Sequence, residues 1–291
     1  MPELPEVETV VRDLRNARVV GRTIRAAAVH WHRTVTGMTP DRFAATIRGL
    51  RITAVSRRAK YIVITLTRGY SLLIHLRMTG QIHILRRGTP AGPHDRLVAD
   101  LDDGRALSFR DTRKFGRWHL LRDPQLVLGK LGPEPLEKEF TVAVLAGRLQ
   151  KKKQRIKTLL LDQTFIAGVG NIYADEALWH AGVYPLRHAG TLRSDEIQAL
   201  HRAIRVVLRR GIAARGTSLG EGKANFYSVD GRRGRHQENV QVFRRTGRPC
   251  PRCRTPIARI IVGQRSTHFC PHCQPAGPDP LPAARRTSRS A

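Results

Sequence analysis

The chain has 291 residues, enough for two modest domains that each bury a core of their own. Its 52 Lys and Arg residues against 23 Asp and Glu residues give a formal net charge of +29, which indicates a polyanionic partner. Nucleic acid is favoured over an anionic membrane, because the basic residues are scattered rather than gathered on one amphipathic helix. No apolar run approaches the ~18 residues needed to span a bilayer, and the acidic N-terminus is unlike a secretory signal, so we expect a cytoplasmic protein.

The predicted elements change in type along the chain. A first helix is predicted over residues 4–16, where valine and leucine recur at helical spacing. Strands are predicted over residues 23–31, 61–66, 71–76, 97–101 and 106–109, with a hairpin turn at 102–105. Such successive antiparallel strands favour a sandwich or barrel. Helices are predicted over residues 140–149, 153–162, 172–181 and 194–213, followed by a mobile loop over 216–240. The segment 131–136 therefore marks a boundary between a β-rich and a helical domain.

The second residue is a proline, which normally permits removal of the initiator methionine and would leave Pro2 with a free secondary amine beside Glu3. An α-amino group titrates near ~8, so a useful fraction is nucleophilic at neutral pH. Such an amine can attack an aldehyde-like carbon and form an iminium, while a neighbouring acid transfers the proton. Taken alone, the segment favours a plain helix start, because proline suits the first turn and Glu3, Glu6 and Glu8 complement the helix dipole.

The strongest spacing signal comes from four cysteines, Cys250, Cys253, Cys270 and Cys273. Two Cys-x2-Cys pairs separated by a hairpin-length insert favour tetrahedral zinc, whereas a redox dithiol needs only one pair. Four cysteine ligands leave no open position, so the predicted Zn2+ is structural and stabilises a small β-hairpin. His268 and His272 are alternative ligands that we expect on the surface of the finger. Arg265 lies in the insert and is either a phosphate-binding fork or a solvated surface arginine.

A second candidate anion site is the segment 168–176, where a glycine turn leads into a helix with Asn171 as the expected N-cap. Backbone N–H groups at such a helix start bind phosphate readily. The predicted helix just upstream carries cations that would reinforce this site, namely Lys151, Lys152, Lys153, Arg155 and Lys157. A plain solvated basic face is the competing interpretation.

Two segments of the first domain combine cations with turns. Lys60 precedes a predicted strand, where it could grip a phosphate or donate a proton. Residues 111–117 follow another strand and place Arg113 beside Phe115, a pairing that suits a protein which extrudes a base and fills the gap. The alternative is a turn whose phenylalanine packs inward.

Taken together, these segments resemble the bacterial formamidopyrimidine-DNA glycosylase (Fpg/Nei) family from Pro2 to Cys273. The N-terminal motif combined with the four-cysteine finger is highly specific. The matching segments are residues 2–9, 58–61, 74–78, 111–116, 131–136, 168–175 and the finger itself.

The resemblance implies an α+β fold: an N-terminal antiparallel β-sandwich with flanking helices, then a helix–two-turn–helix domain and a β-hairpin zinc finger. We expect residues 1–133 to form the catalytic sandwich domain, 139–235 the helical domain, 240–273 the finger and 274–291 a disordered basic tail. Double-stranded damaged DNA would lie in the cleft between the domains. We expect a monomer associated with the bacterial nucleoid.

The resemblance also implies roles for single residues. The Pro2 amine would attack C1′ of the damaged nucleotide, Glu3 would act as general acid and base, Lys60 would donate a proton in β-elimination, and Arg265 would assist δ-elimination. Residues expected to contact DNA are His75, Met78, His94, Arg113, Phe115, Lys153 and Asn171. Of these, Met78, Arg113 and Phe115 would fill the gap left by the extruded nucleotide.

Two departures from the family pattern concern the lesion. The family usually has a glycine before the wedge methionine, where this chain has Arg77, and an aromatic pair where it has Arg235-His236. The expected substrates are 8-oxoguanine and formamidopyrimidines, while oxidised pyrimidines stay open. The alternatives are a non-catalytic zinc-finger protein that binds damaged DNA and a ribosome-associated zinc protein, neither of which uses a free amine at Pro2.

Overall fold

A computed structural model describes residues 1–219 and 226–276 of the chain. Residues 220–225 of the predicted loop and residues 277–291 of the predicted tail lie outside the described residues. Within the described ranges, no helix has both the length and the apolar character needed to cross a membrane.

The first helix, α1, runs from Leu4 to Asn16 and confirms the prediction. Pro5 stands in its first turn, where the missing N–H costs nothing. The apolar face is fully buried but divides between two cores. Val7 and Val10 pack into the core of the sandwich, whereas Leu4 packs into the core of the helical domain. The helix therefore joins the two domains at its N-terminal end.

The N-terminal domain consists of two sheets that pack around one core. A four-stranded sheet has the order β1-β7-β8-β6, and a five-stranded sheet has the order β2-β9-β5-β4-β3. All pairs are antiparallel except β2 with β9. The strands are β1 (Ile24–Val29), β2 (Val35–Thr36), β3 (Ile52–Arg58), β4 (Tyr61–Leu66), β5 (Ser71–His75), β6 (Gln81–Arg86), β7 (Asp95–Leu101), β8 (Arg105–Arg110) and β9 (Arg117–Leu121).

Several elements of this domain escaped the sequence analysis. The short helices α2 (Pro40–Ile47) and α3 (Gln125–Leu128) were not predicted, and neither were β2, β3, β6 and β9. Strand β3 is exposed or half-buried at most positions, so its apolar residues show no clean alternation. Its pairing with β4 supplies the order that its own sequence pattern lacks.

The helical domain contains α4 (Val142–Leu149), α5 (Ile156–Leu161), α6 (Asn171–Ala181) and α7 (Ser194–Ala213), close to the predicted bounds. Helices α6 and α7 pack against each other. Helix α6 is buried on all sides. Its apolar residues are therefore spread around the helix, and the helix is not amphipathic.

The finger hairpin consists of β10 (Ala258–Val262) and β11 (Arg265–Phe269), and β11 packs against α6. Gln274, which we expected to begin a disordered tail, belongs to the finger. Its side chain is fully buried, accepts from the Cys270 N–H at 2.9 Å and donates to the carbonyl of Val183 at 2.8 Å.

Candidate active site

The carboxylate of Glu3 lies at the N-terminus of α6. Oε1 accepts from the backbone N–H of Ile172 at 3.0 Å, and Oε2 accepts from that of Tyr173 at 3.4 Å. Gly170 makes room for this contact, since a Cβ there would lie 2.3 Å from Glu3 Cδ. Two expectations are thereby corrected. The N-cap of α6 is Gly170 rather than Asn171, and the free N–H groups meet an internal carboxylate rather than a phosphate.

A second carboxylate, that of Glu6, lies one helical turn further along α1 and is completely buried. It accepts from the N–H of Glu3 at 2.8 Å, from the hydroxyl of Tyr173 at 2.8 Å and from the N–H of Thr217 at 2.7 Å. Burial raises its pKa, with the nearby Glu3 adding to the shift. The sequence suggested only a helix-dipole role for Glu6. The contact that reveals its importance joins residues 211 positions apart.

Among the described residues, three cavities border Met1, and two of them also border Glu3 or Glu6. The larger of these two has a volume of about 210 Å³, and its lining includes Met1, Glu3, Lys60, Met78, Asn171 and Arg265. The smaller, about 50 Å³, is lined by Met1, Pro2, Glu6, Met78, Ile172, Thr217, Leu219 and Phe226. All four residues expected to be catalytic thus border this pair of cavities, which we call the active-site pocket.

Lys60 reaches the pocket from the turn between β3 and β4. The preceding Ala59 has a left-handed backbone, with φ of 53°, a conformation that costs a non-glycine residue about 1 kcal/mol or more. The carboxylate of Glu134 supports it by accepting from the Ala59 N–H and from Arg57 Nη1, the latter at 2.7 Å. Lys60 is 4% exposed, and burial lowers its pKa, although Glu3 and Glu6 oppose the shift.

His75 ends β5 beside the pocket and is neutral at physiological pH. Burial lowers its pKa to about 3, and the charges of Arg77 and Lys60 contribute. Its Nδ1 lies 3.0 Å from the backbone nitrogen of Arg77 and accepts from that N–H. The proton of the neutral ring must therefore sit on Nε2, which makes that nitrogen a donor suited to a phosphate oxygen.

The residues expected to fill the DNA stack lie on two adjacent turns. Phe115 is 45% exposed, so it does not pack inward, and the Arg113 guanidinium carbon stands 4.9 Å from its ring centre. Asp111 holds both turns together: it accepts from the N–H of Arg113 at 3.2 Å, from the N–H of Gly116 at 2.7 Å and from the hydroxyl of Thr79. Half-buried Met78 precedes Thr79.

The remaining residues expected to contact DNA occupy different settings. His94 is half-buried, with Nδ1 3.3 Å from Arg96 Nη2. Lys153 is exposed in the turn before α5 rather than on a helix. Lys157, one of the cations expected to bind an anion, is fully buried and pairs with Asp175. The cations predicted to form one anion site therefore differ in role: Lys153 is exposed and accessible, whereas Lys157 is part of the protein interior.

Asp175 also connects α6 to the finger hairpin. Its Oδ2 accepts from the N–H of His268 at 3.0 Å and lies 3.1 Å from Nδ1 of the same residue. Asn171 Nδ2 donates to the carbonyl of Ser266 at 2.9 Å. His268 is thus buried against α6 rather than on the finger surface as expected. These contacts turn the exposed Arg265, at the start of β11, towards the pocket.

The four cysteines form the structural zinc site. All four Sγ atoms lie within 4.8 Å of one another, and the separations include 3.4, 3.4 and 3.9 Å. A tetrahedron with Zn–S bonds of about 2.3 Å requires sulfur atoms about 3.8 Å apart. A disulfide would need about 2.05 Å. The donor set and its spacing therefore fit one zinc ion, which would hold the hairpin closed.

Comparison with known proteins follows the same three parts of the molecule. Residues 1–118 match the formamidopyrimidine-DNA glycosylase N-terminal domain, residues 131–221 match the H2TH domain of the same glycosylase, and residues 247–276 match the zinc finger found in FPG and IleRS. A formamidopyrimidine-DNA glycosylase from Chloroflexus aggregans is 51% identical over 94% of this chain and 98% of its own.

The chain belongs to the formamidopyrimidine-DNA glycosylase family.

Solved structures of the family agree with this fold. A Lactococcus lactis FPG mutant in complex with Fapy-dG-containing DNA is 36% identical and superposes with a TM-score of 0.87, covering 94% of this chain and all of that one. The Lactococcus lactis Fpg in complex with abasic-site DNA is 35% identical, with a TM-score of 0.86 and the same coverage.

The two departures from the formamidopyrimidine-DNA glycosylase pattern have structural accounts. Arg77 adopts a φ of 55°, a conformation that glycine reaches without strain, and its N–H bonds to His75. The imidazole of His236 is buried and stacks on Tyr173 with ring centres 5.2 Å apart.

Proposed function

We propose that this chain excises oxidised purines, 8-oxoguanine and formamidopyrimidines, from duplex DNA and then cleaves the strand by β,δ-elimination. The observation that carries the proposal is the meeting of Pro2, Glu3, Lys60 and Arg265 around one pocket. A protein that only binds damage gains nothing from a secondary amine beside a carboxylate. The net charge of +29 supports a DNA duplex as the partner. A DNA partner in turn implies localisation to the bacterial nucleoid in the cytoplasm.

The nucleophile is the Pro2 nitrogen, which becomes a secondary amine once Met1 is removed. In the full chain the Met1 α-ammonium has a lowered pKa, chiefly because burial removes its water, although Glu3 and Glu6 oppose the shift. A freed Pro2 amine in the same surroundings has less water to stabilise its charge. A larger fraction is then unprotonated and ready to attack at neutral pH.

The chemistry proceeds by covalent catalysis. The nitrogen lone pair forms a bond to C1′, and the bond from C1′ to the base breaks with its electron pair leaving on the base. Opening of the sugar ring gives an iminium, with Glu3 donating and accepting the protons. Glu3 then accepts the C2′ proton, and the electron pair of that C–H bond drives cleavage of the C3′–O bond, so that the 3′ phosphate leaves with a proton from Lys60. Loss of the C4′ proton breaks the C5′–O bond in the same way and expels the 5′ phosphate, which Arg265 binds, and water hydrolyses the remaining iminium to release Pro2.

The DNA is gripped and opened by residues around the pocket. The Nε2–H of His75 and the side chain of Asn171 bind phosphates next to the extruded nucleotide, and His94 and Lys153 make further contacts with the DNA. Met78, Arg113 and Phe115 occupy the vacated stack, where the exposed ring and its neighbouring guanidinium replace lost base stacking.

Borohydride trapping tests this proposal. Reduction of the iminium should link the protein covalently to a duplex that contains 8-oxoguanine opposite cytosine, and the Pro2→Gly variant should form less adduct. Lack of any adduct with the parent protein, together with tight binding to the same duplex, would favour the damaged-DNA-binding protein instead. A Pro2→Gly protein that traps as well as the parent would remove Pro2 from the proposed role.

A further inference from the structure

The backbone that follows α7 is tied to α1 through the side chain of Asp13. Asp13 is 8% exposed and lies near the C-terminal end of α1. Its Oδ1 accepts from Nη2 of Arg215 at 2.8 Å, and its Oδ2 accepts from the backbone N–H of Val229 at 3.2 Å. A buried carboxylate is costly without donors. Here the donors come from two segments that flank residues 220–225 of the chain.

Both tethered segments lead directly into the wall of the smaller cavity beside Pro2. Arg215 precedes Thr217 by two residues, and Val229 follows Phe226 by three; Thr217 and Phe226 both line that cavity. The hydroxyl of Ser218 joins the segments by donating to the carbonyl of Phe226 at 2.5 Å and accepting from the N–H of Gly234 at 3.0 Å. We call Thr217, Leu219 and Phe226 the pocket wall.

The conformation at Arg215 needs outside support. Its φ is 58°, in the left-handed region that a non-glycine residue adopts at a cost of about 1 kcal/mol or more. The turn at this residue carries the chain from the end of α7 to Thr217, whose N–H donates to Glu6. The pair with Asp13, at 2.8 Å, is shorter than the second ion pair of Arg215, with Asp230 at 3.7 Å, and favours this turn.

Asp13 itself stands away from the chemistry. Asp13 lies ten positions after Glu3, which corresponds to about 15 Å along an α-helix. Asp13 is therefore too far from Glu3 to contact it, and its side chain is connected to the wall through Arg215 and Val229 instead. Helix α1 thus has Glu3 at its N-terminus and, near its C-terminus, Asp13, which binds the segments that form the wall.

We propose that Asp13 is a positioning residue that holds the pocket wall against an extruded base. This inference rests on the proposed glycosylase function. The inference predicts different effects on two activities of the same pocket, base excision and strand cleavage. Excision needs a base seated against Thr217 and Phe226, whereas strand cleavage at a preformed abasic site involves no base. Loss of the tether should therefore slow excision and spare cleavage of an abasic strand.

Single-turnover kinetics on two duplexes test the proposal, one with 8-oxoguanine opposite cytosine and one with a preformed abasic site opposite cytosine. For Asp13→Ala we expect excision to fall about 10- to 100-fold, the scale expected when a reacting group is displaced by about 1 Å. Abasic-strand cleavage should stay within about twofold of the parent. Asp13→Asn should fall between, because the amide oxygen still accepts from an N–H but lacks the charge that pairs with Arg215.

The matched control is Asp41→Asn, which removes an exposed carboxylate in the first turn of α2 and should leave both rates unchanged. If Asp13→Ala does not fold, Arg215→Gln breaks the same pair from the other side and should give the same selective loss. Equal loss of both rates, or no loss of either, overturns the role of Asp13. A parent protein that does not excise the base overturns the proposed function itself, so the two failures are distinguishable.

Discussion

The N-terminal end of α1 and the zinc-finger hairpin face the same pocket, yet different forces place their side chains. Glu3 and Glu6 are fixed by N–H and hydroxyl groups of the helical domain, so the contact between domains orients the acid. Arg265 is placed by a metal-closed hairpin that docks on α6 through Asp175 and Asn171. The position of Glu3 and Glu6 should therefore change when a single hydrogen-bonding atom of the buried network is replaced. The position of Arg265 depends instead on whether the hairpin folds.

Removal of zinc should produce the largest effect, and it should act on the finger hairpin and on DNA affinity. Such fingers owe roughly 10–16 kcal/mol of folding free energy to their metal, so a chelator should unfold β10 and β11 and displace Arg265. DNA affinity, measured by fluorescence anisotropy, should fall and recover when zinc is restored. A protein that has released its zinc but binds DNA with unchanged affinity would contradict the structural role of the metal.

Glu3→Gln should produce the next largest effect, and it should act on base excision at the N-terminal end of α1. Excision should fall about 10²- to 10⁴-fold, because the amide cannot transfer the proton. DNA affinity should stay the same, since an amide oxygen still accepts from the N-terminus of α6. Single-turnover excision and anisotropy measure the two quantities, with Glu139→Gln, an exposed carboxylate, as control. Unchanged excision would remove Glu3 from its role.

Asp175→Asn tests whether the hairpin is placed by its docking as well as by its metal. The change leaves buried Lys157 without its counter-charge, and breaking such a pair costs about 3–5 kcal/mol. The free energy of unfolding in urea should fall accordingly while zinc stays bound. Asp195→Asn, at an exposed pair with Arg193, should leave the unfolding midpoint where it is. Equal midpoints for both variants would mean that Asp175 does not stabilise the fold.

Acid should weaken the buried network by a smaller amount. Burial lowers the pKa of His75 to about 3 and that of His236 to about 4, against 6.5 for an unperturbed histidine. Because the folded values are lowered, the stability from each neutral ring is present above pH 6.5 and is lost as the pH falls towards 4. At pH 5 the loss should be about 1–2 kcal/mol for each residue.

The measurement is the free energy of unfolding at pH 7 and pH 5. His236→Gln should make the dependence less steep, because one of the rings with a lowered pKa no longer takes up a proton on unfolding. His30→Gln, at an exposed position, should keep the parental slope. If His236→Gln keeps that slope as well, His236 does not remain neutral in the folded protein.

Local patterns in the sequence were sufficient for much of the scaffold. Helix α1 and the hairpin of β7 and β8 formed where spacing and turn residues predicted them. The same patterns misplaced the N-cap of α6 and put Lys157 on an anion site. Both errors have one cause: the deciding partner lies outside the local pattern, 18 positions away for Lys157 and much further for the N-terminus of α6. Glu3 reaches α6 across 169 positions, and no local pattern reports such a contact.

The reactive groups can be read directly from the amino-acid sequence: an amine at Pro2 beside an acid, four thiolates at zinc spacing and a large excess of cations. These follow from residue type and short-range spacing, which the chain carries unfolded. Which charged groups are buried, and which partners they contact, depends on packing between distant segments in the folded protein. Glu6, Asp13 and Asp175 are ordinary acids in the sequence, and they become organising residues because folding removes their water and supplies donors from other domains.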